Sequence, residues 1–127
     1  HFADEMVGRY RTKRIPYPVI ALTADSAVLT CIGNDFGFED IFLRQVQALG
    51  QAKDVLIVFS TSGKSENLLR AVRQASQQEM IILGFTGSQS RMESVSHAVT
   101  VPSEDPPRIQ ELHLHAIHLI CEAFEPE

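Results

Sequence analysis

Asp54-Val55-Leu56-Ile57-Val58-Phe59-Ser60, followed at once by Thr61-Ser62-Gly63-Lys64-Ser65, is the stretch that decides the fold. Val55 to Phe59 are apolar without a break, as in a strand covered on both faces; a half-exposed strand would alternate with polar residues. Ser65 can cap a helix over Glu66–Gln77, in which Leu68, Leu69, Val72 and Ala75 recur at inward spacing. Residues 80–85 (MIILGF) then read as a second doubly covered strand. Such strands, separated by helices, are parallel and joined by right-handed crossovers. The expected fold class is α/β, a three-layer α/β/α sandwich around a parallel sheet.

Further out, residues 18–23 (PVIALT) are short, apolar and rich in β-branched types, so another strand is expected there. Asp25-Ser26 can cap a helix over 27–32, with Gly33-Asn34-Asp35 ending it. Residues 38–49 place Ile41, Phe42, Val46 and Leu49 on one helical face, closed by Gly50. A shorter strand nearer an edge is expected over His97–Val101, and a last helix over 107–123. The first residues already read as the tail of a helix, with no initiator Met and no signal pattern. The expectation is one domain over 1–127, cut from a longer natural chain whose N-terminal part is missing.

The length of 127 residues suits a single core, and 44% hydrophobic with 21% charged residues is an ordinary globular balance. A net charge of −5 argues against a general nucleic-acid binder, which carries a basic surface, yet leaves room for a local anion site. No apolar run approaches the roughly 18 residues that span a bilayer, so no membrane partner is expected. Cys31 and Cys121 lie in apolar surroundings without CxxC spacing and read as buried free thiols of a reducing cytoplasm.

In open parallel sheets, ligands bind where strand ends feed helix N-termini. That rule selects residues 23–26, 60–65 and 86–90. Ser60, Thr61, Ser62 and Ser65 offer hydroxyl donors, Gly63 lets the backbone approach closely, and the next helix supplies free N–H groups, so a phosphate suits this loop. An ordinary capped turn has the same composition. Gly63-Lys64-Ser65 looks like the end of a P-loop, but the first glycine of that motif would fall on Val58.

His1 and Glu5 are four apart and share one helical face. Gln110 and His118 lie near the other end of the chain, beside Glu111, His113 and His115. An imidazole pair with a carboxylate suits zinc, and a facing carboxylate and imidazole suit proton transfer. A surface pair and a histidine at a helix C-terminus explain the same residues. Gln110 and His118 are separated by about 12 Å along a straight helix. Either one of them reaches a small ion, or neighbouring chains supply them; the second is preferred, making oligomerisation part of the site. His113 and His115 read as packing or surface residues, His97 carries no role, and Arg9 and Arg108 are candidate phosphate partners.

HFADEMVGRYR at the start, CIGNDFGFEDIF, STSGKS and RIQELHLHAIH together resemble the bacterial phosphoheptose isomerases, over essentially the whole chain. The resemblance implies the SIS (sugar isomerase) fold, a flavodoxin-like parallel sheet, homotetramers with intersubunit active sites, and isomerisation of sedoheptulose 7-phosphate to a heptose 7-phosphate. It implies catalysis by Glu5 and His118, one zinc per site on His1, Glu5, Gln110 and His118, and phosphate binding by Ser60, Thr61, Ser62 and Ser65. It puts Arg9, Asn34, Asp35 and Gln110 at the substrate. Lys64 and Pro106-Pro107 depart from the family pattern. Some similar SIS proteins are binding modules, one associating with the replication initiator DnaA, and lack the catalytic carboxylate and imidazole. Others are sugar-phosphate-sensing regulators, usually joined to a helix-turn-helix domain, of which no segment is visible here. Glu5 and His118 favour the enzyme.

Overall fold

The computed structural model describes residues 1–88 and 92–126. Three parallel strands, β1 (Val55–Phe59), β2 (Ile81–Gly87) and β3 (His97–Val101), lie in the order β1-β2-β3. Val55 pairs with Ile81 and Phe59 with Phe85; Leu83 pairs with His97 and Gly87 with Val101. All strands therefore end at one edge, where their loops gather. Gln89 and Ser90, in the third expected ligand loop, lie outside the described residues.

Helices cover the two faces. On one face, α3 (Leu43–Leu49) packs on α4 (Glu66–Gln77), and α4 packs on β1 and β2. Ala71, Val72 and Ala75 of α4 meet Leu56 and Val58 of β1 and Ile82 of β2 in the larger apolar cluster. On the other face, α5 (Pro106–Ala123) packs on β2 and β3 and carries α1 (Phe2–Val7) against it. Met6 there meets Ile117 and Cys121, with Phe59, Tyr10, Tyr17 and Val19 around them. The sheet is thus the middle layer of the expected α/β/α sandwich.

Four local expectations give way. Cys121 is buried as expected, but Cys31 is exposed. Residues 18–23 form no strand; the chain turns at Leu22 and Thr23, with Ala24 N donating to Ala21 O at 3.1 Å. Pro16 and Pro18 lack N–H donors for a ladder. The segment is held by side chains instead, Val19 in one apolar cluster and Leu22 beside the other. The buried amide of Gln45 donates to Leu22 O at 2.9 Å and to Ile41 O at 2.8 Å. Helix α2 (Ser26–Asp35), capped by the Asp25 carboxylate accepting from Val28 N, runs through Gly33-Asn34-Asp35 instead of stopping there. Residues 38–49 divide into a 3-10 turn (Phe38–Asp40) and α3; Ile41 and Val46 are buried, whereas Leu49 is exposed.

Ile82 is 1% exposed at the centre of the sheet, whereas Leu112 on α5 is 46% exposed. Ile82→Ala is expected to lower unfolding free energy by about 2–5 kcal/mol. Leu112→Ala is expected to change it by less than about 0.5 kcal/mol. Urea denaturation of the two variants checks the contrast.

Candidate active site

The carboxyl edge of the sheet carries the hydroxyl-rich loop. Ser60 N donates to Phe85 O at 2.9 Å, continuing the β1–β2 ladder one residue past the strand. The buried Ser60 Oγ then accepts from Gly63 N at 2.9 Å, folding the loop back on itself. Gly63 has φ +64°, a conformation costly for residues with a Cβ. Ser62 is exposed and its Oγ accepts from Lys64 N at 3.3 Å. Ser65 occupies the N-cap of α4 through its backbone and makes no side-chain capping bond. Thr61 O accepts from Gly87 N at 3.3 Å, joining this loop to the end of β2. The turn leaves Ser62 and Ser65 exposed at the start of a twelve-residue helix, whose free N–H groups suit an oxyanion.

The second group forms where the two chain ends meet. His1, at the N-cap of α1, and Glu5, one turn on, approach His118 of α5. His1 Nε2 lies 3.0 Å from Glu5 Oε1 and 3.4 Å from His118 Nε2. One ligand atom from each residue falls within 4.8 Å of the other two. Ligands on a tetrahedral zinc at 2.0–2.1 Å stand about 3.3 Å apart. The His1–Glu5 and His1–His118 spacings and the donor types suit such an ion, with at least one position left for water, substrate or a further ligand.

The two groups share a scaffold. Phe59, the residue before Ser60, packs into the same cluster as Met6 and Ile117, the neighbours of Glu5 and His118. Gln110 is exposed near the start of α5, where Ile109 closes over Gly87. His118 lies about 12 Å further along that helix. Glu5 and His118, expected to meet across neighbouring chains, meet within one chain because Met6 and Ile117 pack together. Gln110 is the residue that the fold keeps away from the trio.

Residues 1–87 match the SIS domain family model. Phosphoheptose isomerase 1 of Campylobacter jejuni subsp. jejuni serotype O:2 is 48% identical over 127 residues, covering 98% of this chain and 68% of its own length. This chain belongs to the phosphoheptose isomerase family. The phosphoheptose isomerase of Bradyrhizobium sp. (strain ORS 278) is 45% identical over 127 residues, covering 98% of this chain and 64% of its own. A solved phosphoheptose isomerase from Francisella tularensis superposes with a TM-score of 0.90 at 38% identity, covering 96% of this chain and 66% of that one. The chain thus spans about two thirds of the length of these family members.

Other residues singled out from the sequence of this family member stand as follows. Asn34 and Asp35 are exposed at the end of α2, where Asn34 Nδ2 donates to Asp35 Oδ1 at 2.7 Å. The 3-10 turn packs on both α2 and α4, so these side chains lie on the α4 side of the molecule. Arg9 is exposed just after α1. Arg108 is occupied on its own helix, pairing with Glu111 at 2.6 Å. His113 is a core residue, wedged between Phe59 and Phe85, with Nε2 3.3 Å from Thr86 O.

Two residues at the trio escape sequence reasoning. The Tyr10 ring lies 5.5 Å from that of His118, tilted by 33°. The Arg14 side chain is only 4% exposed and ion-paired with Glu125 at 3.7 Å. A tyrosine after Gly-Arg and an arginine in a basic run look like surface residues, and no periodicity marks either.

Glu125 also accepts from the Thr12 hydroxyl and from the backbone N–H groups of Arg11 and Thr12. The Thr12 hydroxyl foremost, then those N–H groups and the Arg14 charge, hold its carboxyl below the ordinary glutamate range. A depressed folded-state pKa stabilises the fold above the unfolded value, near 4.3, and that stabilisation fades as pH falls through the folded value. The stability gap between the natural protein and Glu125→Gln is therefore expected to be full at pH 6 and to shrink below about pH 4. Thermal unfolding of both across that range checks the trend. Gly63→Ala is expected to cost about 1–2 kcal/mol through its left-handed backbone, measured by chemical denaturation.

Proposed function

We propose that the protein is an aldose–ketose isomerase that converts sedoheptulose 7-phosphate to D-glycero-D-manno-heptose 7-phosphate through an enediolate, for cell-surface heptose. The observation that carries this reading is the meeting of His1, Glu5 and His118 from opposite chain ends, on a family scaffold that also holds the Ser60–Ser65 loop. A binding module needs no such carboxylate–imidazole couple.

Glu5 holds His1 through Oε1; its second carboxylate oxygen takes the proton from the carbon beside the carbonyl. His118, in its acid form, protonates the carbonyl oxygen, leaving the enediol. Return of the proton to the neighbouring carbon, with loss of the hydroxyl proton, completes the exchange of aldehyde and ketone. Tyr10 flanks the His118 ring and keeps it facing the trio. Ser60, Thr61, Ser62 and Ser65, with the N–H groups of α4, hold the phosphate, so remote binding free energy orients the reacting carbons. Arg9, Asn34, Asp35 and Gln110 complete the substrate site. His1, Glu5 and His118 would hold a zinc ion, one per site, with Gln110 as a further ligand; there it would supply polarisation of the substrate carbonyl in place of the His118 proton.

Because Gln110 stands two helical turns from His118, its share of the site comes from another copy of the chain. The assembly is a homotetramer, working in the cytoplasm. No described helix is long and apolar enough to cross a membrane.

The test is incubation with sedoheptulose 7-phosphate, with and without zinc, followed by NMR. Formation of the heptose phosphate is expected. No conversion under either condition would move the protein to the non-catalytic, DnaA-associating class of relatives. Glu5→Gln is expected to abolish turnover while sugar-phosphate binding, read by calorimetry, stays within about threefold. Substantial remaining turnover would remove Glu5 as the base.

A further inference from the structure

Helix α1 has six residues, fewer than a helix needs to persist by its own hydrogen bonds. Its last carbonyls lack intrahelical partners. Arg14 supplies them: Nη2 donates to Glu5 O at 2.8 Å, and Nη1 donates to Met6 O at 2.9 Å and to Ile15 O at 3.0 Å. Met6 O also accepts from Tyr17 N at 3.0 Å. The guanidinium lies 4.8 Å from the centre of the Tyr17 ring, and Tyr17 meets Phe124 just beyond α5. Glu125 closes the arrangement from the same chain end, with its side chain 11% exposed. Arg14 Nε is 3.7 Å from the Glu125 carboxylate and makes no hydrogen bond among the described residues. The donor fork of this arginine is thus directed at the end of α1, while the carboxylate balances its charge.

We propose that Arg14 is a positioning residue for the site, a clamp that fixes the end of α1, and hence Glu5 and His1, against the part of α5 that carries His118. The proposal rests on the isomerase reading for its effect on turnover and stands on the hydrogen bonds for its effect on geometry. A planar fork can bridge successive carbonyls and face a carboxylate at once; a single ammonium cannot reproduce that spread. The carboxylate proposed as the base belongs to Glu5, whose main-chain carbonyl Arg14 holds. Releasing the carbonyl therefore loosens the catalytic geometry without touching substrate.

Two variants of the full protein test the clamp. Arg14→Lys keeps a cation beside Glu125 but loses the fork. The double variant Arg14→Met with Glu125→Gln removes both charges together and leaves an acceptor for the Thr12 hydroxyl and the nearby N–H groups, which spares the fold the cost of one unpaired charge. Each is compared with the natural protein in melting temperature, in kcat and KM for the sugar phosphate, and in zinc affinity by chelator competition. In both variants kcat is expected to fall by about tenfold or more, with KM within about threefold and zinc binding weakened by about tenfold. The double variant is expected to melt within about 5 °C of the natural protein. Natural kcat together with natural zinc affinity in either variant would overturn the clamp, leaving Arg14 a support of the fold alone. If the unsubstituted protein failed to isomerise the sugar, the isomerase reading would fall. The zinc affinities would then decide the clamp by themselves.

Discussion

Met6 buried against Ile117 and Cys121 is the contact on which the rest of the site depends. Burying a methionine side chain contributes about 1.5–3 kcal/mol, more than a single helical turn supplies for itself. That contact joins the first turn of the chain to the last helix. It lays the face bearing His1 and Glu5 over His118, which is 117 positions from His1 along the chain. Phe59 extends the same cluster to the end of β1, so the loop at Ser60 and the trio respond to one packing arrangement.

The sheet does a different job. Parallel pairing of β1 with β2 brings Phe59 level with Phe85, and the ladder continues to Ser60. From there the chain turns through Gly63 into α4, leaving hydroxyls at a helix start in a protein whose net charge is −5. An anion at this turn would be met by local backbone N–H groups and hydroxyls rather than by a basic surface. Two arginines have other duties: Arg108 pairs with its own helix neighbours, and Arg14 is turned inward to main-chain carbonyls.

Much was legible because it depends on local periodicity. The apolar runs at 55–59 and 81–85 are strands, and the spacing of Val72 and Ala75 faces them. Asp25 caps α2 as its position before a helical pattern implies. Misreadings arose where a tertiary partner outweighed local preference. The run at 18–23 is apolar enough for a strand, yet Pro18 and the preceding Pro16 offer no donors, and Gln45 holds it in place by its side chain. Gly33 does not end α2, because Ile41 packs against it and a Cβ there would make only ordinary contact at 3.8 Å.

By itself, the sequence determined the layered α/β order, the hydroxyl loop after β1 and the residue types suited to proton transfer or metal binding. Those features follow from side-chain period and from neighbours within a few positions. Only the tertiary structure decided that Glu5 and His118 meet inside one chain, and that Tyr10 and Arg14 belong beside them. Which residues share a site depends on contacts between segments more than a hundred residues apart. No periodicity encodes such contacts; they arise when apolar side chains such as Met6 and Ile117 are buried together.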